Sequence, residues 1–121
     1  MEKLRQTKQL KAMLHILETP QGVSEKSINR AAHKMSGRNV PTDLERQHNI
    51  KFIKPRVRKL APDGSRYSIY QLEDIEQVHK LITLIKHHCL IHNFEAIKQS
   101  YFDNAIQVYE AYFKAKTAQK N

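Results

Sequence analysis

The sequence predicts a mainly α (α+β) chain: three helices, a two-stranded antiparallel ribbon, then two longer helices. Three observations carry that expectation. Apolar residues recur at helical spacing through residues 3–48. A run rich in β-branched and aromatic side chains, split by a turn, occupies 50–72. Helical stripes return from Glu73 onward.

Leu4, Leu10, Met13, Leu14 and Leu17 predict a first amphipathic helix over 3–18, ended by Thr19, Pro20 and Gly22. Ser24 suits the N-cap of a second helix, with Glu25 in its electropositive first turn and Ile28, Ala31, Ala32 and Met35 facing inward. Ser36 and Gly37 stop it. Asn39 is suited to cap a short third helix in which Pro41 is tolerated in the first turn, Val40 and Leu44 face inward, and Asn49 fits a left-handed exit.

Ile50, Phe52, Ile53 and Val57 then face Tyr67, Ile69, Tyr70 and Leu72 across Ala61-Pro62-Asp63-Gly64-Ser65. Pro presets a negative φ and Gly supplies the positive φ that closes a hairpin, so strands are expected over 50–60 and 66–72. Ile75, Val78, Ile82, Ile85 and Cys89 step by 3, 4, 3 and 4, with Leu81 and Leu84 widening the stripe. His92 and Asn93 interrupt it, and a last helix is expected over 94–114. One of its stripes is Phe94, Ile97, Tyr101, Ala105, Val108 and Tyr112, and a second is Phe102, Ile106, Tyr109 and Phe113. Six of the chain's nine Phe and Tyr residues lie here, more apolar surface than one neighbouring helix covers. The expectation is a helical hairpin that forms a homodimer through Ile82, Ile85, Cys89, Tyr101, Phe102, Tyr109, Tyr112 and Phe113.

The charge is unevenly placed. All of the net +9 falls in residues 1–72, which carry 15 Lys or Arg against 6 Asp or Glu, while residues 73–121 balance at six and six. Eleven of those cations lie from Lys26 to Arg66, against three carboxylates. A basic part joined to a neutral part predicts a segment, 1–72, that binds something negatively charged, and a segment, 73–121, that buries apolar surface against itself or a copy of itself.

Several function classes are set aside. No stretch approaches 18 consecutive apolar residues, so no membrane span is expected, and residues 1–18 read as a helix rather than a leader. Cys89 is the single cysteine, which suits a reducing cytoplasm. The three glycines, Gly22, Gly37 and Gly64, each have a turn or cap role and build no phosphate loop, and no nucleophile stands in a recognisable motif with a base. A binder rather than an enzyme is expected, with no cofactor. His88, Cys89 and His92 lack a third and fourth ligand at zinc spacing, so no metal site is expected.

Residues 11–72 resemble the small winged helix-turn-helix proteins of phages and plasmids. The resemblance rests on a helix, a Ser-capped helix, a glycine turn, a third helix ending in Asp43-Leu44-Glu45-Arg46, an exit into Ile50, and a second strand closing on Tyr70-Gln71-Leu72. It implies that the third helix enters the DNA major groove while the ribbon acts as a wing on the backbone or minor groove. Arg38, Asn39, Thr42, Arg46 and Gln47 would then address base edges, and Lys54, Arg56, Arg58, Lys59 and Arg66 phosphates. Lys26, Arg30 and Lys34 form a stripe on the second helix that suits the flanking backbone. Asn39 and Thr42 are equally readable as helix caps. Asp43 and Glu45 would repel phosphate unless paired, for instance with Arg46, or aimed at a cytosine.

The resemblance implies a small dimeric transcriptional regulator that binds double-stranded DNA sequence-specifically, with two third helices on two half-sites of a palindrome. An adaptor- or antitoxin-like module that binds a protein partner through the aromatic C-terminal helices is a second reading. An RNA-binding protein using the basic wing is a third.

Overall fold

A computed structural model describes residues 8–32, 39–54 and 56–119. Five helices and one two-stranded sheet follow in the order α1 (Lys8–Glu18), α2 (Glu25–Ala32), α3 (Asn39–His48), β1 (Val57–Leu60), β2 (Arg66–Ile69), α4 (Ile75–Ile91) and α5 (Gln99–Gln119). The mainly helical α+β composition and the element order match the sequence expectation. Leu4, Lys34, Met35, Ser36, Gly37 and Arg38 lie outside the described residues.

The local signals act as their chemistry requires. The Ser24 backbone N–H donates to Ser27 Oγ at 2.9 Å, and the Ser27 N–H donates to Ser24 Oγ at 3.2 Å. This reciprocal cap satisfies two amide donors at the start of α2. Asn49 leaves α3 at φ 54°, and the Ile50 N–H donates to the Leu44 carbonyl at 3.1 Å. Ala61 and Ser65 close the β1–β2 hairpin through an N–H···O bond of 2.7 Å, with Gly64 at φ 92°.

The β1–β2 register pairs Val57 with Ile69, Arg58 with Ser68, Lys59 with Tyr67 and Leu60 with Arg66. Strand pairing continues beyond the ribbon as two isolated antiparallel bridges, Phe52 with Leu72 and Val23 with Tyr70. The second is closed by Val23 N–H to Tyr70 O at 2.9 Å and Tyr70 N–H to Val23 O at 2.7 Å. A residue between α1 and α2 therefore lies beside the end of the second strand, which anchors the base of the ribbon to the helices.

The last helix starts at Gln99 rather than near Phe94, and the cause is the ending of α4. Asn93 adopts φ 57°, its N–H donates to Leu90 O at 3.2 Å, and the Phe94 N–H donates to Cys89 O at 2.9 Å. That pair of bonds across a left-handed residue is a Schellman stop, and it draws Phe94 back onto α4.

One apolar core runs through both halves of the chain. It includes Leu10, Met13, Ile16 and Leu17 of α1, Ile28 of α2, Leu44 of α3, Phe52, Tyr70 and Leu72 from the ribbon's base, and Val78, Leu81, Ile85, Phe102 and Tyr109 from α4 and α5. Polar contacts tie the halves together as well. Tyr109 OH donates to the Ile16 carbonyl at 2.6 Å, Tyr101 OH donates to the Glu18 carboxylate, and Gln71 Nε2 donates to Pro20 O at 3.3 Å and to Tyr112 OH at 2.7 Å. Buried Gln77 accepts the Lys51 N–H at 2.8 Å and donates to Asp74, the N-cap of α4, at 3.0 Å.

This packing engages the residues of the expected dimer surface within the chain. Ile82, Ile85, Cys89, Phe102 and Tyr109 are all buried within the chain itself. Tyr101 and Tyr112 commit their hydroxyls to α1 and to Gln71, and Phe113 packs against the same core. The aromatic stripes pack against the N-terminal half of the same chain.

Gly22 lies where the bridge between Val23 and Tyr70 leaves no room. Its φ is +109°, and a Cβ there would collide with Ile69 Cγ2 and stand 3.2 Å from the Tyr70 carbonyl oxygen. Gly64 has a positive φ but nothing within 4 Å. Urea denaturation of Gly22→Ala is expected to show a loss of about 2–4 kcal/mol, combining backbone strain with overpacking. Gly64→Ala, which carries strain alone, is expected to lose about 1 kcal/mol.

Candidate nucleic-acid interface

The basic residues separate into three groups once the chain is folded. In α3, Val40, Pro41 and Leu44 are buried, and Asp43, Arg46 and Gln47 are exposed. Residues at i, i+3 and i+4 share one helical face, so these three side chains form a compact outward row. Thr42 is half-buried, and Asn39 is the first residue of the helix. Arg38 lies outside the described residues.

The second group lines a groove between the start of α2 and the ribbon. Lys26 and Arg30 from α2 meet Arg58 and Arg66 from the two strands around an open cavity of about 490 Å³, with Ser24, Ser65, Ser68 and Tyr67 in its wall. Glu25 is the one carboxylate in that lining. The strand register explains the meeting. Directly opposed residues share a face of the ribbon, so Arg58, Ser68, Leu60 and Arg66 lie on one side and Val57, Lys59, Tyr67 and Ile69 on the other. Lys59 lies on the opposite face from Arg58 and Arg66 and does not line the groove, although its strand partner Tyr67 reaches it.

The third group is occupied by internal contacts. Arg56 Nη2 donates to Glu45 Oε1 at 3.1 Å, and its guanidinium carbon lies 4.8 Å from the centroid of the Tyr70 ring. Lys54 Nζ lies 3.5 Å from the other Glu45 oxygen. Arg56 Nε is buried and has no hydrogen-bond partner. Arg56, expected as a phosphate-facing wing cation, connects α3 to the base of the ribbon through Glu45 and Tyr70. The same contacts account for Glu45, whose carboxylate is neutralised by Arg56 and Lys54 rather than by Arg46.

The groove depends on how α2 is held. His15 Nε2 lies 3.0 Å from Ser27 Oγ, the hydroxyl that also donates to Ser24 O at 3.0 Å. Burial holds the His15 imidazole below its ordinary value of 6.5, reinforced by nearby Arg30 and partly offset by Glu18. Sequence reasoning identified all four groove cations but not their meeting point, nor the serine hydroxyls between them. The pairing of Arg58 with Ser68 follows from the hairpin register, and that signal was available in the turn. The approach of α2 to the ribbon depends on the Val23–Tyr70 bridge, which no local pattern announces.

A family model described as "Uncharacterised protein PM1773" matches residues 1–118, and the chain belongs to that family. No curated protein and no solved structure matches it.

Two outcomes follow from the internal contacts. Arg56→Ala is expected to cost about 1–3 kcal/mol in urea denaturation, because it removes a charge-assisted bond from half-buried Glu45, whereas Lys59→Ala should stay within about 0.5 kcal/mol. For His15, the folded state disfavours the proton, so the unfolded chain binds more protons below pH 6.5 and stability rises with pH through that range. Melting temperature is expected to hold above pH 6.5 and to fall as the pH drops below it, and His15→Gln should flatten part of that slope.

Proposed function

We propose that this family member is a sequence-specific double-stranded DNA-binding protein, built as a winged helix-turn-helix and acting as a small dimeric transcriptional regulator of the phage or plasmid type. The observation that carries the reading is the convergence of Lys26, Arg30, Arg58 and Arg66, far apart in sequence, on one open groove. α3 is tied to the base of that same ribbon through Glu45 and Arg56. Four cations around a single carboxylate suit the phosphodiester backbone, which rewards closely spaced positive charge with counterion release.

In this reading the exposed row of α3 supplies specificity. Arg46 can fork to guanine O6 and N7, Gln47 can pair with adenine N6 and N7, and Asp43 accepts from the cytosine amino group. The groove supplies affinity and register without sequence information. The short bridge of Val23 with Tyr70 supports the winged arrangement, since it sets a segment between the first two helices alongside the second wing strand. The protein is a binder and not a catalyst. The reducing cytoplasm, where an unpaired Cys89 is at home, is its compartment; among the described residues no helix is long and apolar enough to cross a membrane.

Gel-shift titrations with genomic fragments at two salt concentrations test the reading. Arg46→Ala is expected to lose about 1–3 kcal/mol on the preferred fragment and to flatten discrimination among fragments. Arg58→Ala/Arg66→Ala should weaken every fragment alike and lower the salt slope by about 2. Absence of binding to any DNA duplex at low salt overturns the proposal, as does tighter binding to RNA of the same sequence.

A further inference from the structure

We propose that two copies of the chain pair through the apolar tip of the α4–α5 hairpin. The tip presents Leu90 and Ile91 at 79% and 63% exposure, at the last two positions of α4. Leu90 also forms part of the wall of a groove of about 300 Å³, with Lys86, Cys89, Phe94, Ala96, Ile97 and Phe102. The two features have one origin: the Schellman stop folds Phe94 back onto Cys89 and leaves Leu90 and Ile91 pointing away from the core.

Two considerations select a second copy as the occupant. The first is shape. A two-fold interface uses one patch twice, so that patch must carry both a projection and a recess, and here Leu90 and Ile91 stand at the groove their counterparts would fill. The second is charge. Residues 81–108 hold two lysines, Lys86 and Lys98, and two carboxylates, Glu95 and Asp103, so this end is neutral while residues 1–72 carry the whole net +9. Two chains meeting at their basic ends repel; two meeting at this tip do not. Of the other exposed large apolar residues among those described, Val108 lies on α5, while Val57, Leu60 and Tyr67 are interleaved on the ribbon with Arg58, Lys59 and Arg66, and so cannot pair with a copy of themselves without apposing like charges.

This interface keeps Cys89 and Phe102 of the stripes that the sequence pointed to, as walls of the groove, and adds Leu90 and Ile91; it rests on the DNA-binding proposal only in supplying the dimer that reading calls for. It is tested without nucleic acid, so its outcome is separable from that of the DNA reading. Sedimentation velocity on the full chain over a wide range of concentration is expected to give twice the chain mass. Leu90→Asp/Ile91→Asp and the milder Leu90→Ser/Ile91→Ser should sediment at the single-chain mass with unchanged circular dichroism and thermal melt, whereas Leu60→Asp on the ribbon should leave the dimer intact. A wild-type chain that stays at single mass at the highest concentration overturns the proposal, and so does a folded Ser variant that dimerises as well as wild type.

Discussion

The structure depends on α1 being buried on more than one side. Leu10, Met13 and Leu17 form one apolar row, while Ala12 and Ile16, roughly 100° or more further round the helix, are equally buried. α1 packs against both α2 and α4, so it joins the basic elements to the C-terminal hairpin. Its C-terminal end is also where polar contacts concentrate: the Ile16 carbonyl accepts from Tyr109, and Glu18 accepts from Tyr101. Free carbonyls at a helix end need partners, and α5 supplies one from a tyrosine that would otherwise carry an unsatisfied hydroxyl into the core. Burial pushes both tyrosine hydroxyls well above their usual range, which favours the neutral donor form.

Those same contacts explain what was legible in the sequence. The Ser24 cap of α2, the left-handed exit at Asn49 and the Pro62-Asp63-Gly64 turn are local devices, each satisfied within a few residues, and they appear as expected. The destination of the aromatic stripes is a tertiary matter. Phe102 and Tyr109 are apolar at helical spacing whether they meet a partner chain or α1, and periodicity carries no information about which. The missed clue lay in α1 itself. Ala12 and Ile16 fall off the leucine row, and a second buried row on an eleven-residue helix requires a second neighbour. Glu45 was obscure for a similar reason. A carboxylate on a helix proposed to face DNA conflicts with that reading only if it points outward, and its partner, Arg56, lies eleven residues away across the exit from α3.

The cost of gathering cations follows from the same geometry. Lys26, Arg30, Arg58 and Arg66 around one groove repel each other in the free protein, and a net +9 opposes compaction of the whole chain. Apolar burial must offset this, and the N-terminal elements are short: α2 has eight residues and α3 ten. The hairpin provides the remainder. Val78, Leu81, Ile85, Phe102 and Tyr109 add a neutral, well-filled layer to a core that α1, α2 and the ribbon's base would leave open.

A division into a binding head and an independent pairing device is therefore too simple for this chain. Gln71 shows why. It sits directly after the ribbon, is buried, and donates both to Pro20 at the end of α1 and to Tyr112 on α5, so it spans the ribbon's base, the first helix and the last. Gln77 does the same on the other side, joining the Lys51 amide to the cap of α4. Each amide is costly to bury unless its bonds are made, so each enforces one placement of the hairpin relative to the ribbon. With Val23 and Tyr70 fixing α2 against the second strand, the position of the groove cations is set by residues from every element of the fold. Positive charge can be held at that density because the described elements beneath it are linked to one another by these bonds.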